Sequence, residues 1–325
     1  MDNLCHTLVG AAIGYAGLRR TTRLANATLM IAANLPDLDV LVLATDTPSV
    51  AFRRGWTHGV LAQLVLPVAL TAVMLLIGRR RASPGEPPLN ARWLLLLSYI
   101  GLYSHVFLDF LNNYGIRLLT PFDWRWFYGD TLFIMDPWMW VTLGLGVWLS
   151  RRVRSPRPAR AALMFAALYI GGMLVSAGVA RDLVVEAWAG ERGSRPRALM
   201  VGPTPGTPFA RQIIVDAGPH YETGEFTWLP APRVAFHADQ IPKNERRREV
   251  IAARQTPAFQ AFLIWSRFPF FQLEEEATGT RVSVGDMRFM LTNPVRNVLG
   301  RGRFTATTVV PRESNTGEAE SAEGN

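Results

Sequence analysis

Four apolar runs in one half of the chain limit what it can fold into more than any other feature. They are Val60–Gly78, Trp93–Leu111, Phe133–Ser150 and Ala161–Ala180. Each is long enough, or nearly so, to cross a bilayer core of about 30 Å, which takes roughly 20 helical residues. A water-soluble core can bury one such run, but four in series are hard to bury in water. The expected fold class is therefore mainly α: a polytopic transmembrane helix bundle over residues 1–180, followed by a small α+β soluble domain over 181–311.

Two shorter apolar stretches precede the four. Leu4–Leu18 is rich in glycine and alanine, and Gly10, Gly14 and Gly17 permit close helix packing. Leu24–Ala44 is interrupted by Asn34, Pro36, Asp37 and Asp39. No basic segment precedes the first apolar stretch, so no cleavable signal peptide is expected and insertion relies on the hydrophobic segments themselves. Only 18% of the residues are charged, against about 25% in typical soluble domains.

The net charge of +8 raises nucleic acid as a partner. The arginines lie in short loops between apolar runs, however, where membrane topology places them, so no nucleic-acid partner is expected and the partner is the lipid bilayer. The turn with Arg19, Arg20 and Arg23, the loop with Arg79, Arg80, Arg81 and Arg92, and the loop with Arg151, Arg152, Arg154, Arg157 and Arg160 are assigned to the cytoplasm. These assignments alternate if both short stretches also cross, and parity then puts the C-terminal domain outside the cytoplasm.

Beyond residue 180 proline, glycine and charge increase. Ile213–Asp216, Phe226–Leu229, Val234–His237, Phe262–Leu273 and Thr280–Met290 have the β-branched and aromatic content of strands, and Lys243–Arg254 is a polar helical segment. Residues 312–325 carry no large apolar residue after Glu313 and form an expected disordered tail.

The ionisable residues of the first half carry the chemistry. His6 begins the first short helix, Asp37 and Asp39 end the second, His58 precedes the first long span, and His105 and Asp109 lie near the end of the second. In the topology above all of them fall toward the outer face, although the arginine argument did not require it. His105 and Asp109, at i and i+4, share one helix face. Imidazole nitrogen and carboxylate oxygen suit a divalent cation such as Zn²⁺, and the lone Cys5 rules out a site built from several cysteines. Each residue also has an ordinary reading: His6 as an interfacial side chain, Asp37 and Asp39 as turn residues, His58 as a loop hydrogen-bonder, and His105 with Asp109 as a buried pair. Asp136, before Pro137, reads as a helix N-cap rather than a ligand. His220 and His237 read as surface residues. Three histidines at one face, with intramembrane charge so costly unless paired or coordinated, favour a metal site.

At these residues the sequence resembles the bacterial inner-membrane metal-dependent hydrolases, also described as LexA-binding, membrane-bound hydrolase-like proteins. The matching pieces are His6-Thr-Leu-Val-Gly10, Asn34-Leu-Pro-Asp37-Leu-Asp39, Arg54-Gly-Trp-Thr-His58-Gly, Ser104-His105-Val-Phe-Leu-Asp109, Pro121-Phe-Asp123 and Asp136-Pro137. The resemblance covers roughly residues 1–180 and implies several transmembrane helices and a hydrolase activity. The order of His and Asp is also similar to zinc-dependent phospholipase C, which implies ligand roles for His6, Asp37 or Asp39, His58, His105 and Asp109. The later His and His-x-x-x-Glu ligands of that group have no counterpart here, so one or two ions are expected rather than three.

The expected function is metal-assisted hydrolysis of a phosphoester or other ester of a membrane-associated substrate at the outer face. Asp37 or Asp39 would serve as ligand or base, and Arg53 and Arg54 would hold an anionic substrate. Trp124, Trp126, Phe127 and Tyr128 fit an interfacial aromatic belt or a substrate groove. One rival is a non-catalytic membrane protein whose His/Asp cluster staples helices and whose C-terminal domain binds a partner. Another is a cation-coupled transporter, which crowding at one face rather than the midplane disfavours.

Overall fold

The computed structural model describes residues 1–45, 52–79, 86–290 and 305–311. The expected disordered tail, together with Arg80 and Arg81, lies outside the described residues. The chain forms two compact units by contact: Met1–Ala217 with Glu222–Asp239, and Gly218–Tyr221 with Gln240–Asn325.

The first unit opens with α1 (Asn3–Tyr15), α2 (Ala25–Ala32) and a 3-10 stretch, Leu35–Ala44. Helices α3 (Val60–Gly78), α4 (Ala91–Phe110), α5 (Pro137–Arg152) and α6 (Arg157–Arg192) follow. The starts of α1, α4 and α5 are set by side chains that satisfy free backbone N–H groups. Asp2 accepts from the N–H groups of Leu4 and Cys5 at 3.0 and 3.1 Å, and Asn90 accepts from those of Arg92 and Trp93 at 3.0 and 3.2 Å. Asp136 accepts from the Met139 N–H at 3.0 Å with Pro137 in the first helical turn, so the N-cap expected there is present.

Three helices, α3, α4 and α6, are long and apolar enough to cross a membrane. The run expected at Phe133–Ser150 is cut back by the Asp136 cap to the 16 residues of α5, about 24 Å at 1.5 Å per residue. Helices α1 and α2 have 13 and 8 residues, about 20 and 12 Å, and neither spans a bilayer core alone. Leu64, Val65, Val68 and Leu76 on α3 and Phe165, Leu168 and Val175 on α6 are exposed, as lipid-facing side chains must be.

Glycines let α2 lie between its neighbours. A Cβ at Gly10 of α1 would sit 2.8 Å from the Leu29 carbonyl oxygen, and one at Gly101 of α4 would sit 2.6 Å from the Ala32 Cβ. Both sides of α2 thus rest against bare backbone, which brings the end of α2 beside the end of α4.

Helix α6 has 36 residues, about 54 Å, and outruns a bilayer. Its last turns are Ala180, Val184 and Trp188, which pack on Leu199, Val201, Ile213, Val215 and Phe226 of a four-stranded sheet. That sheet runs in the order β1 (Ala198–Thr204), β2 (Thr207–Asp216), β3 (His220–Thr227), β4 (Arg233–Pro242). Arg211 of β2 is fully buried and donates to the carbonyls of Asp130 at 3.1 Å and Met173 at 2.9 Å. Burial pushes its pKa down to about 10. It ties the sheet to α6 and to the loop between α4 and α5.

The second unit contains α7 (Arg248–Ala253), α8 (Pro257–Trp265) and a three-stranded antiparallel sheet of β5 (Pro269–Glu276), β6 (Gly279–Asp286) and β7 (Thr305–Pro311), with the short α9 (Met287–Met290) after β6. Phe271 pairs with Val284, and Val282 with Thr308. The expected strand from Phe262 is helical as far as Trp265 and becomes strand only at Pro269. Pro257 in the first turn starts that helix, and Phe259, Phe262 and Trp265 recur at helical spacing on its buried face. Strands β1 and β7 were not among the expected segments. The helix expected over Lys243–Arg254 is confined to Arg248–Ala253.

Candidate metal centre

The centre forms where four segments of the first unit end together. His6 lies in the first turns of α1, Asp37 in the 3-10 stretch after α2, His58 two residues before α3, and His105 and Asp109 in the last turns of α4. One ligand atom from each of Asp37, His58, His105 and Asp109 lies within 4.8 Å of the others, and all four residues are buried. The expected i, i+4 pair converges as drawn: His105 Nε2 is 3.5 Å from Asp109 Oδ2.

Hydrogen bonding fixes which nitrogens face the centre. His105 Nδ1 lies 2.8 Å from the Ala33 carbonyl, which only accepts, so Nδ1 carries the proton and Nε2 offers a lone pair. Thr57 Oγ1 donates to Asp39 Oδ2 at 3.2 Å, so its contact of 2.9 Å with His58 Nδ1 makes that nitrogen the donor as well. The two Nε2 atoms then meet at 3.1 Å, lone pair to lone pair. Oδ1 of Asp37 and Oδ2 of Asp109 are buried without a hydrogen-bond partner among the described residues.

Two nitrogens and two carboxylate oxygens that accept no hydrogen bond, gathered at one point, fit a divalent cation. Bonds of about 2.0–2.1 Å in a tetrahedron separate the ligand atoms by roughly 3.3 Å. The spacings here include 3.1 Å between the imidazoles, 3.5 Å from His58 to Asp109 and 4.0 Å from His105 to Asp37, and all lie within 4.8 Å. Carboxylates and carbonyls behind the imidazoles are the usual support for such ligands: Asp39 Oδ2 stands 3.7 Å from His58 Nδ1.

The remaining expected residues surround these four. His6 stacks on the His105 ring at 3.9 Å between centroids. Its Nε2 lies 3.2 Å from the Met1 carbonyl and 3.3 Å from Asp109 Oδ1, both acceptors, so it donates and orients Asp109. The Met1 amino group also contacts Asp109. Arg54 donates from a terminal nitrogen to Asp109 Oδ1 at 3.1 Å, keeps its Nε 3.1 Å from Oδ2 as an ion pair without a hydrogen bond, and donates to Asn112 Oδ1 at 3.0 Å. Its backbone, at φ 54°, is held by its N–H donating to Asp39 Oδ2 at 2.7 Å. Arg53 lies 3.3 Å from Asp39 and 3.9 Å from Asp37. Asp136 instead caps α5 and accepts from the Tyr169 hydroxyl at 2.9 Å. Thr57 and Asn112, which the sequence reasoning passed over, complete the network. Thr57 had a signal in its adjacency to His58, whereas Asn112 had none.

Comparison with known proteins agrees with this geometry in its extent. The YdjM inner membrane protein family matches residues 1–180, more than half of the chain and the part that holds every residue of the centre. The chain belongs to the YdjM inner membrane protein family. It is also 24% identical, over 159 residues, to Uncharacterized protein YfhP of Bacillus subtilis (strain 168), spanning 46% of this chain and 46% of that protein. The chain thus covers about half the length of that relative. No solved structure matches it. Membership of the YdjM family and the three candidate spans fit an inner-membrane location, with the buried Asp37, His58, His105 and Asp109 as a group that can hold a metal ion.

Proposed function

We propose that this YdjM-family protein is a membrane-bound metal-dependent hydrolase that cleaves a phosphoester or other ester of a membrane-associated substrate. One observation carries the reading: two imidazole lone pairs and two carboxylate oxygens that accept no hydrogen bond meet at one buried point. The resemblance of these motifs to metal-dependent hydrolases supports the same chemistry. Asp37, His58, His105 and Asp109 would hold one divalent cation, with zinc the best match to nitrogen and oxygen donors. Such an ion supplies Lewis acidity to a phosphoryl or carbonyl oxygen.

The chain's own residues supply the rest. With Asp37 Oδ1 given to the ion, the second carboxylate oxygen of Asp37 is the group left to take the proton of an attacking water. Asp39 is a positioning residue that fixes the His58 ring through Thr57. His6 and Arg54 do the same for Asp109. Arg53, partly exposed beside Asp37, is placed to meet an anionic substrate.

The membrane arrangement is part of the proposal. His6 starts α1 while Arg19 and Arg20 follow its end; Asp109 ends α4 while Arg92 lies at its start. The arginine end of the bundle is also closed on itself, with Arg160 donating to the Ala16 carbonyl at 2.7 Å. The metal centre therefore sits at the end opposite Arg19, Arg20, Arg92 and Arg160, and the first sheet is tied to the centre's end through Arg211 and Asp130. With the arginine end cytoplasmic, the centre and the C-terminal region are extracytoplasmic in a multi-pass protein.

The test is turnover of a lipid phosphodiester by the detergent-purified chain with its metal content measured alongside. The proposal expects turnover that is lost with chelator and falls by about 100-fold or more in Asp37→Asn. Complete burial of the four ligands favours one alternative, a structural metal that staples the helices. In that case chelation lowers the melting temperature and no ester is turned over.

A further inference from the structure

Among the described residues, every buried arginine except Arg117 has hydrogen-bond acceptors for its guanidinium. Arg54 holds Asp109, Arg211 holds backbone carbonyls, and Arg288 holds Asp286. Arg117 is only 5% exposed, yet its Nε has no hydrogen-bond partner and, among the described residues, no carboxylate neutralises it. A buried charge without an opposite charge is expensive. Burial lowers its pKa from the usual arginine value, the direction expected for that cost.

What surrounds Arg117 is built rather than accidental. Its guanidinium carbon stands over the Trp126 ring at 4.5 Å and the Trp124 ring at 5.4 Å. Its own N–H donates to the Arg54 carbonyl at 3.0 Å, which locks it to the turn that leads to His58. Three residues on, Thr120 Oγ1 is a second buried group without a hydrogen-bond partner. The aromatic residues around it face outward: Trp56 is 48%, Trp124 47% and Phe122 76% exposed, and Trp56 meets Trp124 edge to face at 5.4 Å.

We propose that Arg117 is the recognition residue of an anion site, separate from the metal centre, that binds the phosphate group of an amphiphile. A planar guanidinium stacked on indole rings carries the N–H fork that can bind two phosphate oxygens at once. Exposed Trp56, Phe122 and Trp124 form the apolar rim that an acyl chain or the bilayer interface would cover, which favours a lipid phosphate over a free one. The site stands without the metal; its service as the substrate subsite of the hydrolase rests on the function proposed above.

The experiment uses the full chain in neutral detergent. Short-chain phosphatidylglycerol, short-chain phosphatidylcholine and inorganic phosphate are titrated against intrinsic tryptophan fluorescence, with metal content measured on every preparation. The expected result is saturable binding of phosphatidylglycerol, weakened at least about tenfold in Arg117→Gln with metal content unchanged. Arg117→Lys keeps the charge but not the planar fork and should weaken binding by a smaller factor. Inorganic phosphate bound as tightly as lipid, and lost in Arg117→Gln, keeps the anion site and overturns its assignment to an amphiphile. Unchanged phosphatidylglycerol affinity in Arg117→Gln, or in Arg117→Lys should the glutamine variant lose its metal and fold, overturns the site. Loss of turnover without change in this binding bears on the metal centre alone.

Discussion

His58 and His105 present their Nε2 atoms to each other at 3.1 Å, with both Nδ1 protons already committed to Thr57 and the Ala33 carbonyl. Two lone pairs do not attract. A shared cation would turn the contact into coordination, with the Asp37 and Asp109 oxygens that accept no hydrogen bond as its other ligands. Replacing His105 or Asp109 with Ala should each abolish stoichiometric metal in the purified protein. Full stoichiometry in either variant would remove that residue from the centre.

Asp39 touches no ligand position in this reading; it acts on His58 through Thr57. Asp39→Asn should therefore weaken metal affinity by about 10–100-fold without abolishing binding, the usual size of an orienting partner. Metal competition with a chromophoric chelator measures the shift. An affinity equal to that of the wild type would assign Asp39 to the Arg53 and Arg54 contacts alone.

The Arg54–Asp109 ion pair is buried, so its two halves depend on each other. Arg54→Met leaves a buried carboxylate with half its neutralisation gone and should cost about 3–5 kcal/mol. The melting temperature of the metal-free chain reads this directly, because added metal would mask part of it. A variant as stable as the wild type would show that the amino group and His6 suffice to hold Asp109.

Close backbone approach puts α2 in place, and with it Asp37. A Cβ at Gly101 would meet the Ala32 Cβ at 2.6 Å and the Leu29 carbonyl oxygen at 2.8 Å. Gly101→Val should destabilise the bundle by about 1–3 kcal/mol and reduce bound metal, although it touches no ligand. Normal stoichiometry in that variant would mean that Asp37 does not depend on the seating of α2.

In the second unit Asp286 is buried and accepts from Ser266 at 2.7 Å and from Arg288 at 2.8 and 2.9 Å. Burial alone would raise its pKa, but the Arg288 charge and these hydrogen bonds outweigh it and hold the carboxyl below the usual value of 3.8. The unfolded carboxyl therefore takes its proton first. Its contribution to stability is full above that usual value and disappears as pH falls through the lowered one. Melting followed from neutral pH into acid should show this loss, and Asp286→Asn should flatten it. A parallel decline in both proteins would place the acid sensitivity elsewhere.

Much of this was legible because some sequence signals have no cheap alternative. Long apolar runs and intramembrane His and Asp cannot be left unaccounted for, so α3, α4 and α6 and the meeting of His58, His105 and Asp109 followed from spacing and cost. Other features are decided by tertiary context. The run from Phe262 is aromatic enough for a strand, and only the buried face of Phe259, Phe262 and Trp265 makes it α8. Asp136 shortens α5 because a cap outweighs three more apolar residues, Phe133, Ile134 and Met135. Arg117 beside Trp124 and Trp126 looks like one more interfacial arginine, since the missing carboxylate is a fact of packing that no spacing records.

Elemental analysis of the detergent-purified wild-type chain, before and after chelation, tests the centre most directly. One equivalent of a divalent transition metal, removed by chelator with a fall in melting temperature and absent from His58→Ala, is the predicted result. A preparation that is metal-free, takes up none on addition of zinc, and melts identically with and without chelator would contradict it.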